Sequence, residues 1–326
     1  MSFSIKLWGV RGSLGTPAPP FELDLRFRNL LYSFFEKGHK VKEDIDAFLE
    51  SRPTSQMGGY GGNTICVEVI SPKSTLIIDA GSGIKRCGYH LMNGACGRGN
   101  GEVHLFLTHF HWDHLMGLPF FSPIFVSGNK IHIYTVQSEA EEKVRALFTK
   151  PCFPVPYDRL ASDISFHHLK PREEFILGDI SITPYLLDHP DPCWGYRCCY
   201  KDKVYSHCVD TEATRISREA LGKDLPLYQN VDFMLFDSQY TQVEVQERVD
   251  WGHASANLGL DLGMREGVKK MAFVHFDPAA SDKKIQDTEE QTRTYYNKKV
   301  QEFKSSNQKF SEVEWIFARE EMVFQL

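Results

Sequence analysis

Thr108-His109-Phe110-His111-Trp112-Asp113-His114 places three imidazoles and a carboxylate within six residues, directly after the apolar run 103–107. A 326-residue chain with 13 histidines meets an HxHxDH spacing by accident only about once in a thousand such sequences. Imidazole nitrogen and carboxylate oxygen are the donors that borderline divalent metals accept. His109 and His111 alternate with Phe110, so in extended backbone they point the same way, and Asp113 and His114 follow after the chain has turned. One strand-to-loop turn can thereby address more than one ion. A His-rich surface loop or a single structural zinc would be the plainer reading, but structural zinc sites lean on cysteine and none lies in this run.

The rest of the chain frames that motif. A hydrophobic fraction of 42% with 13% aromatic residues suffices for a substantial core. The net charge of −6 disfavours long nucleic acid or a membrane surface as partner. No signal-like N-terminus and no 18-residue apolar run occurs. The eight cysteines are scattered without CxxC spacing, which suits reduced core thiols, and a cytoplasmic location is expected.

Alternating or continuous apolar runs predict strands at 4–8, 64–70, 75–79, 103–108, 130–135, 180–187, 195–200, 204–209, 232–237, 269–275 and 313–318. Helical spacing appears at 138–150, 254–266 and 282–305. Two strand-rich halves, each followed by helices, predict an α/β, four-layer αβ/βα sandwich formed by residues 1–326 as a single domain. Residues 20–57 read as a helical insertion with an amphipathic stretch at 25–35, suited to a lid, to a homodimer contact, or equally to covering the core.

Within such a fold, further ligands belong at strand ends. Four runs qualify: 76–81 ends at Asp79, 186–190 at His189, 206–211 at Asp210 and 271–275 at His275. A lone strand-end Asp is more often a turn cap, but four such ends beside HxHxDH form a pattern.

The order Asp79, His109-x-His111-x-Asp113-His114, His189, Asp210, His275 resembles the five motifs of the metallo-β-lactamase-fold hydrolases over about 200 residues. Gly9-Val10-Arg11-Gly12-Ser13, Tyr60-Gly61-Gly62-Asn63-Thr64 and Gly252-His253-Ala254-Ser255 look like the ribonuclease Z and cyclic-nucleotide phosphodiesterase branch. The resemblance implies that His109, His111 and His189 hold one metal, that Asp113, His114 and His275 hold a second, and that Asp210 bridges them. Asp79 would orient the ligands from behind. The last motif departs from the His-His-Asp-Pro of many relatives and reads His275-Phe276-Asp277-Pro278, which leaves one His there as ligand.

Two divalent ions, zinc first and manganese or iron as alternatives, would lower the pKa of a bridging water and clamp phosphoryl oxygens. Asp113 and His253 are the expected catalytic residues, with His253 opening the predicted helix 254–266 and protonating the leaving alkoxide. The expected activity is hydrolysis of a small phosphodiester, a cyclic nucleotide first, because 122–187 contains no long Gly-Pro-Lys-rich arm for tRNA. A ribonuclease Z-type endonuclease, a thioester, lactone or β-lactam hydrolase, and a non-hydrolytic metal protein are the alternatives. Arg11 reads as a turn or structural residue rather than a phosphate contact, and His132, His167, His168 and His207 as core or surface histidines.

Overall fold

Runs of three to seven residues, most of them largely apolar, form the strands, and the computed structural model describes residues 3–326. The strands are β1 (Ser4–Gly9), β2 (Cys66–Ile70), β3 (Thr75–Ile78), β4 (Glu102–Phe106), β5 (Lys130–Thr135), β6 (Asp163–His168), β7 (Phe175–Leu177), β8 (Ile180–Leu186), β9 (Trp194–Tyr200), β10 (Lys203–Cys208), β11 (Phe233–Asp237), β12 (Lys270–Val274), β13 (Glu314–Phe317) and β14 (Val323–Gln325). They make two seven-stranded sheets, ordered β14-β1-β2-β3-β4-β5-β6 and β13-β12-β11-β10-β9-β8-β7.

Helices complete the layers: α1 (Pro20–Glu36), α2 (Ile45–Glu50), α3 (Ile84–Met92), α4 (Trp112–Leu115), α5 (Ala140–Leu147), α6 (Arg218–Leu221), α7 (Glu244–Glu247), α8 (Ala256–Glu266) and α9 (Asp282–Ser305). Ile84 and Cys87 of α3 and Val144 of α5 join Ile77, Leu105, Ile131 and Ile133 in one buried cluster on the outer face of the first sheet. On the second sheet α8 packs closely because Gly259 has no side chain; a Cβ there would stand 2.6 Å from Phe236 Cδ1. The expected four-layer sandwich is what the chain forms.

Between the sheets lies the larger core, where β4 and β9 meet through aromatics. Phe106 stacks on Tyr134 at 4.5 Å and meets Tyr196 edge-on at 5.6 Å. The Tyr196 hydroxyl donates to the Leu107 carbonyl (2.6 Å), and the Trp194 amide to that of Thr108 (3.1 Å). Both sheets are therefore pinned together one residue before the histidine run begins.

Strands β3 to β6 are parallel, as are β10 to β13. Parallel strands present their following loops along one rim, where sites of open α/β sheets form. Asp79, Asp210 and His275 each occupy the first or second position after β3, β10 and β12, with φ of 64°, 62° and 65°. Left-handed backbone is uncommon for residues with a side chain, and here it turns the chain sharply so that each strand ends in an inward-facing donor.

Sequence periodicity misses α3, the single-turn helices α4, α6 and α7, and the strands β6, β7 and β14. The last three lie at or next to a sheet edge and are mostly half-exposed, so they lack the buried alternation that marks a strand. The expected strand 64–70 begins only at Cys66, since Thr64 turns to donate its hydroxyl to the Asp113 carbonyl at 2.7 Å. The helix expected over 254–266 begins at Ala256, so His253 lies before the helix rather than opening it. Residues 20–57 contain α1 and α2 but no strand. No residue of α1 is buried, so it does not cover core; Arg26 ties it to Asp282 at the start of α9. No helix among the described residues is long and apolar enough to cross a membrane.

Candidate metal centre

The loop after β4, the β8–β9 turn and the strand ends of the second sheet converge on one rim. His109, His111, His189 and Asp210 each offer a donor atom, all within 4.8 Å of one another, and Asp113, His114, Asp210 and His275 do the same. Asp210 belongs to both groups. Its Oδ2 lies 3.4 Å from His109 Nε2, and its Oδ1 lies 3.2 Å from His114 Nε2 and 2.9 Å from His275 Nε2.

Several of these atoms are buried without a hydrogen-bond partner: His109 Nε2, His114 Nε2 and Asp210 Oδ1. Orphaned buried polar atoms cost roughly 1–3 kcal/mol each, a penalty that a cation placed among them removes. The donor set is imidazole and carboxylate, the chemistry of a divalent ion such as zinc, manganese or iron. The residues thus fit the metal that their spacing implies.

In three of the rings the nitrogen turned away from the neighbouring donors is held. His114 Nδ1 donates to Asp79 Oδ2 (2.8 Å), and Asp79 is fixed in turn by the Thr108 amide and hydroxyl at 2.9–3.0 Å. His189 Nδ1 donates to the Gly252 carbonyl (3.1 Å), leaving Nε2 beside His111 Nδ1 at 3.1 Å. His111 Nε2 donates to Asp191 (2.8 Å). Such partners fix tautomer and ring orientation, and their loss typically costs 10–100-fold in metal affinity. Asp79→Asn is accordingly expected to weaken binding of one ion about 10–100-fold in a chelator-competition titration; an affinity equal to wild type would remove Asp79 from this role.

Charge in the centre follows from burial against carboxylates. Burial pulls His275 towards its neutral form, yet Asp210 and Asp113 outweigh it and raise its pKa to about 10. Burial also opposes ionisation of Asp113 and Asp210, but the facing imidazoles hold both well below the ordinary carboxylate range. His109 moves the other way, pushed well down by burial and by His114. The pocket therefore stabilises positive charge at one end and keeps a neutral imidazole at the other.

His253 stands beside the second group. Its ring lies 4.8 Å from that of His275 and 5.7 Å from that of His189, so it touches both halves of the centre. Its Nδ1 donates to Asp237 Oδ2 at 2.9 Å. Asp237 is held by the amides of Gln239 and Ala254. Asp113 Oδ2, besides facing His275, accepts from the Ser13 amide at 2.7 Å.

Asp191 and Asp237 are the residues that sequence reasoning missed. Asp237 ends the apolar strand Phe233–Asp237, the same signature that singled out Asp79, so a signal was present. Asp191 lies on a Pro-flanked turn and carried none. Arg11 is buried and spends its guanidinium on the carbonyls of Gly61, Asp277 and Ala280 and on Asp282. That is a structural clasp, in keeping with the sequence reading. His207 is a core histidine: burial lowers its pKa to about 4, and its Nδ1 meets the Tyr205 hydroxyl at 2.9 Å. His132 and His167 lie half-buried on β5 and β6, 3.1 Å apart.

Known proteins resemble this chain in sequence and in fold. The family described as "Beta-lactamase superfamily domain" matches residues 76–276. A ribonuclease Z from Clostridium perfringens is 35% identical over 230 residues, covering 55% of this chain and 73% of the relative. A ribonuclease Z from Ligilactobacillus salivarius is 30% identical over 127 residues, and the match spans only 38% of either protein. Among solved structures, the metallo-beta-lactamase fold protein YhfI from Bacillus subtilis superposes with a TM-score of 0.61 at 13% identity, covering 99% of both chains. Yeast PDE1 superposes with a TM-score of 0.58 at 14% identity, covering 100% of this chain and 99% of that one. With the layered sheets, the converging donors and these matches in hand, the chain belongs to the beta-lactamase superfamily and, within its metallo-β-lactamase fold, is kin to ribonuclease Z.

Proposed function

We propose that the protein is a dinuclear metal-dependent phosphodiesterase acting on a small, cyclic-nucleotide-like phosphodiester. The observation that carries this reading is the Asp237–His253 pair, with an imidazole held at 2.9 Å by a buried carboxylate and set against both donor groups. A diester with an alkoxide leaving group needs a proton at departure, whereas a thioester releasing thiolate does not. An oriented acid is therefore of use to the former reaction and idle in the latter.

His109, His111, His189 and Asp210 would hold one ion, and Asp113, His114, His275 and Asp210 the other, with zinc as first choice. Bound there, two divalent ions would acidify a water and offset charge on phosphoryl oxygens. Asp79, Asp191 and the Gly252 carbonyl keep the imidazoles in register. Asp237 keeps the proton of His253 on Nδ1 in the neutral ring, and when the ring is charged Nε2 carries the proton given to the leaving oxygen. The Ser13 amide steadies Asp113 at the same centre.

Preference for a small substrate is supported by residues 122–187, which contribute β5, α5, β6, β7 and β8 to the two sheets and their covering layer and contain no long Gly-Pro-Lys-rich run. The ribonuclease Z relatives favour a second reading, cleavage at RNA 3′ ends. Turnover of cyclic nucleotides, a precursor tRNA, bis(4-nitrophenyl) phosphate and an acyl thioester by the purified, metal-analysed protein separates the readings. The expected result is two ions per chain, a kcat/KM highest on the cyclic nucleotide, and loss of turnover on chelation. Higher kcat/KM on the thioester would sink the proposal, and higher kcat/KM on precursor tRNA would favour the second reading.

A further inference from the structure

Two tryptophans stand in water at the rim of the centre without a structural duty. Trp112, inside the histidine motif, is 77% exposed, and Trp251, next to Gly252-His253, is 62% exposed. Among the described residues, no hydrogen bond or ring contact engages the Trp112 side chain. Among the described residues, the one ring or cation contact of Trp251 is with the Arg248 guanidinium, 5.9 Å from its ring centroid. Large aromatic rings ordinarily dominate cores and interfaces, so two left bare beside one catalytic rim call for a ligand.

Their placement is set by His189. On one edge of that imidazole, Nε2 lies 3.1 Å from His111 Nδ1, and Trp112 follows His111 in the chain. On the other edge, Nδ1 donates to the carbonyl of Gly252, which follows Trp251. Gly252 adopts φ of +84°, and a Cβ there would stand 2.1 Å from His189 Nδ1, so the Trp251 loop is held tightly against the ring. The two indoles are thus rooted on opposite edges of one donor residue. Arg248, stacked at 4.5 Å over Tyr240 and paired with Asp277 at 3.2 Å, adds a fixed cation beside Trp251.

We infer that Trp112 and Trp251 form a stacking grip for the base of a nucleobase-bearing phosphodiester. This rests on the phosphodiesterase reading and narrows it, excluding aliphatic and sugar-only diesters as preferred substrates. A flat heterocycle presents two π faces, and stacking on aromatic side chains tolerates any base because each has such a face. The indoles hold the base while the donor groups hold the phosphate end, so the scissile bond is positioned from both sides.

The test compares calorimetric binding of AMP and of ribose 5-phosphate to the metal-loaded protein, probes that share the sugar and phosphate and differ by the base. Wild type is expected to favour AMP by at least about fivefold, the lower bound for stacking one base. In W112A/W251A that ratio falls towards one, and Trp→Phe at both positions restores most of it. A ratio, unlike an absolute affinity, is insensitive to partial loss of folded protein. A wild-type ratio near one, or a double-Ala variant that keeps the wild-type ratio, overturns the inference. Turnover of bis(4-nitrophenyl) phosphate is followed in parallel. Its absence would defeat the phosphodiesterase reading itself, whereas turnover together with a ratio near one would defeat the stacking grip alone.

Discussion

Asp210→Asn is expected to reduce metal content from two ions per chain to one or none and to lower kcat/KM on a phosphodiester by about a thousandfold or more. The magnitude follows from losing several kcal/mol of charge stabilisation in the transition state, at roughly 1.4 kcal/mol per tenfold. Asp210 is the single residue shared by both donor groups, with carboxylate oxygens 2.9–3.4 Å from the Nε2 atoms of His275, His114 and His109. Asn is a cleaner substitution than Ala. Position 210 has a φ of 62°, a left-handed backbone that Asn tolerates better than other residues with a side chain, and Asn preserves the volume. Elemental analysis of the purified variant beside steady-state kinetics reads both effects. Retention of two ions with near wild-type kinetics would defeat the bridging assignment and, with it, the dinuclear centre.

His253→Ala is expected to separate substrates by leaving group. General acid catalysis contributes about 10²- to 10⁴-fold, so a diester that expels a ribose alkoxide should lose that much in kcat. A diester that expels nitrophenolate needs little protonation and should lose far less. Ring contact with both His189 and His275 means that Ala also leaves space in the rim, which makes the comparison between substrates more telling than either value. Parallel losses on the two substrates would recast His253 as a packing residue.

How much of this was legible beforehand depended on whether a residue's role is local. The buried strands carried their own signal in continuous or alternating apolar runs, and the rule that ligands stand at strand ends reached Asp79, His189, Asp210 and His275, which the structure gathers on one rim. Edge strands β6, β7 and β14 face solvent on part of their surface and carry no such pattern. Asp237 ends an apolar strand just as Asp79 follows one, and that signal was passed over, whereas Asp191 acts only through a partner distant in sequence, His111 eighty residues back. The start of α8 was misplaced by two residues because Ala254 and Ser255 are apolar or cap-like, while the Asp237 carboxylate takes the Ala254 amide and holds that stretch outside the helix.

From residue order alone came the layered α/β architecture, the histidine motif and the set of donor types, since periodicity and spacing are properties of the chain itself. Which nitrogen of each imidazole is free, that Asp210 faces both groups, that Arg11 is a buried clasp, and that two indoles are left bare around His189 were decided only by tertiary structure. These are facts about distance and direction between segments far apart in the chain, fixed when the two sheets close on a common core and aim their strand ends at one rim.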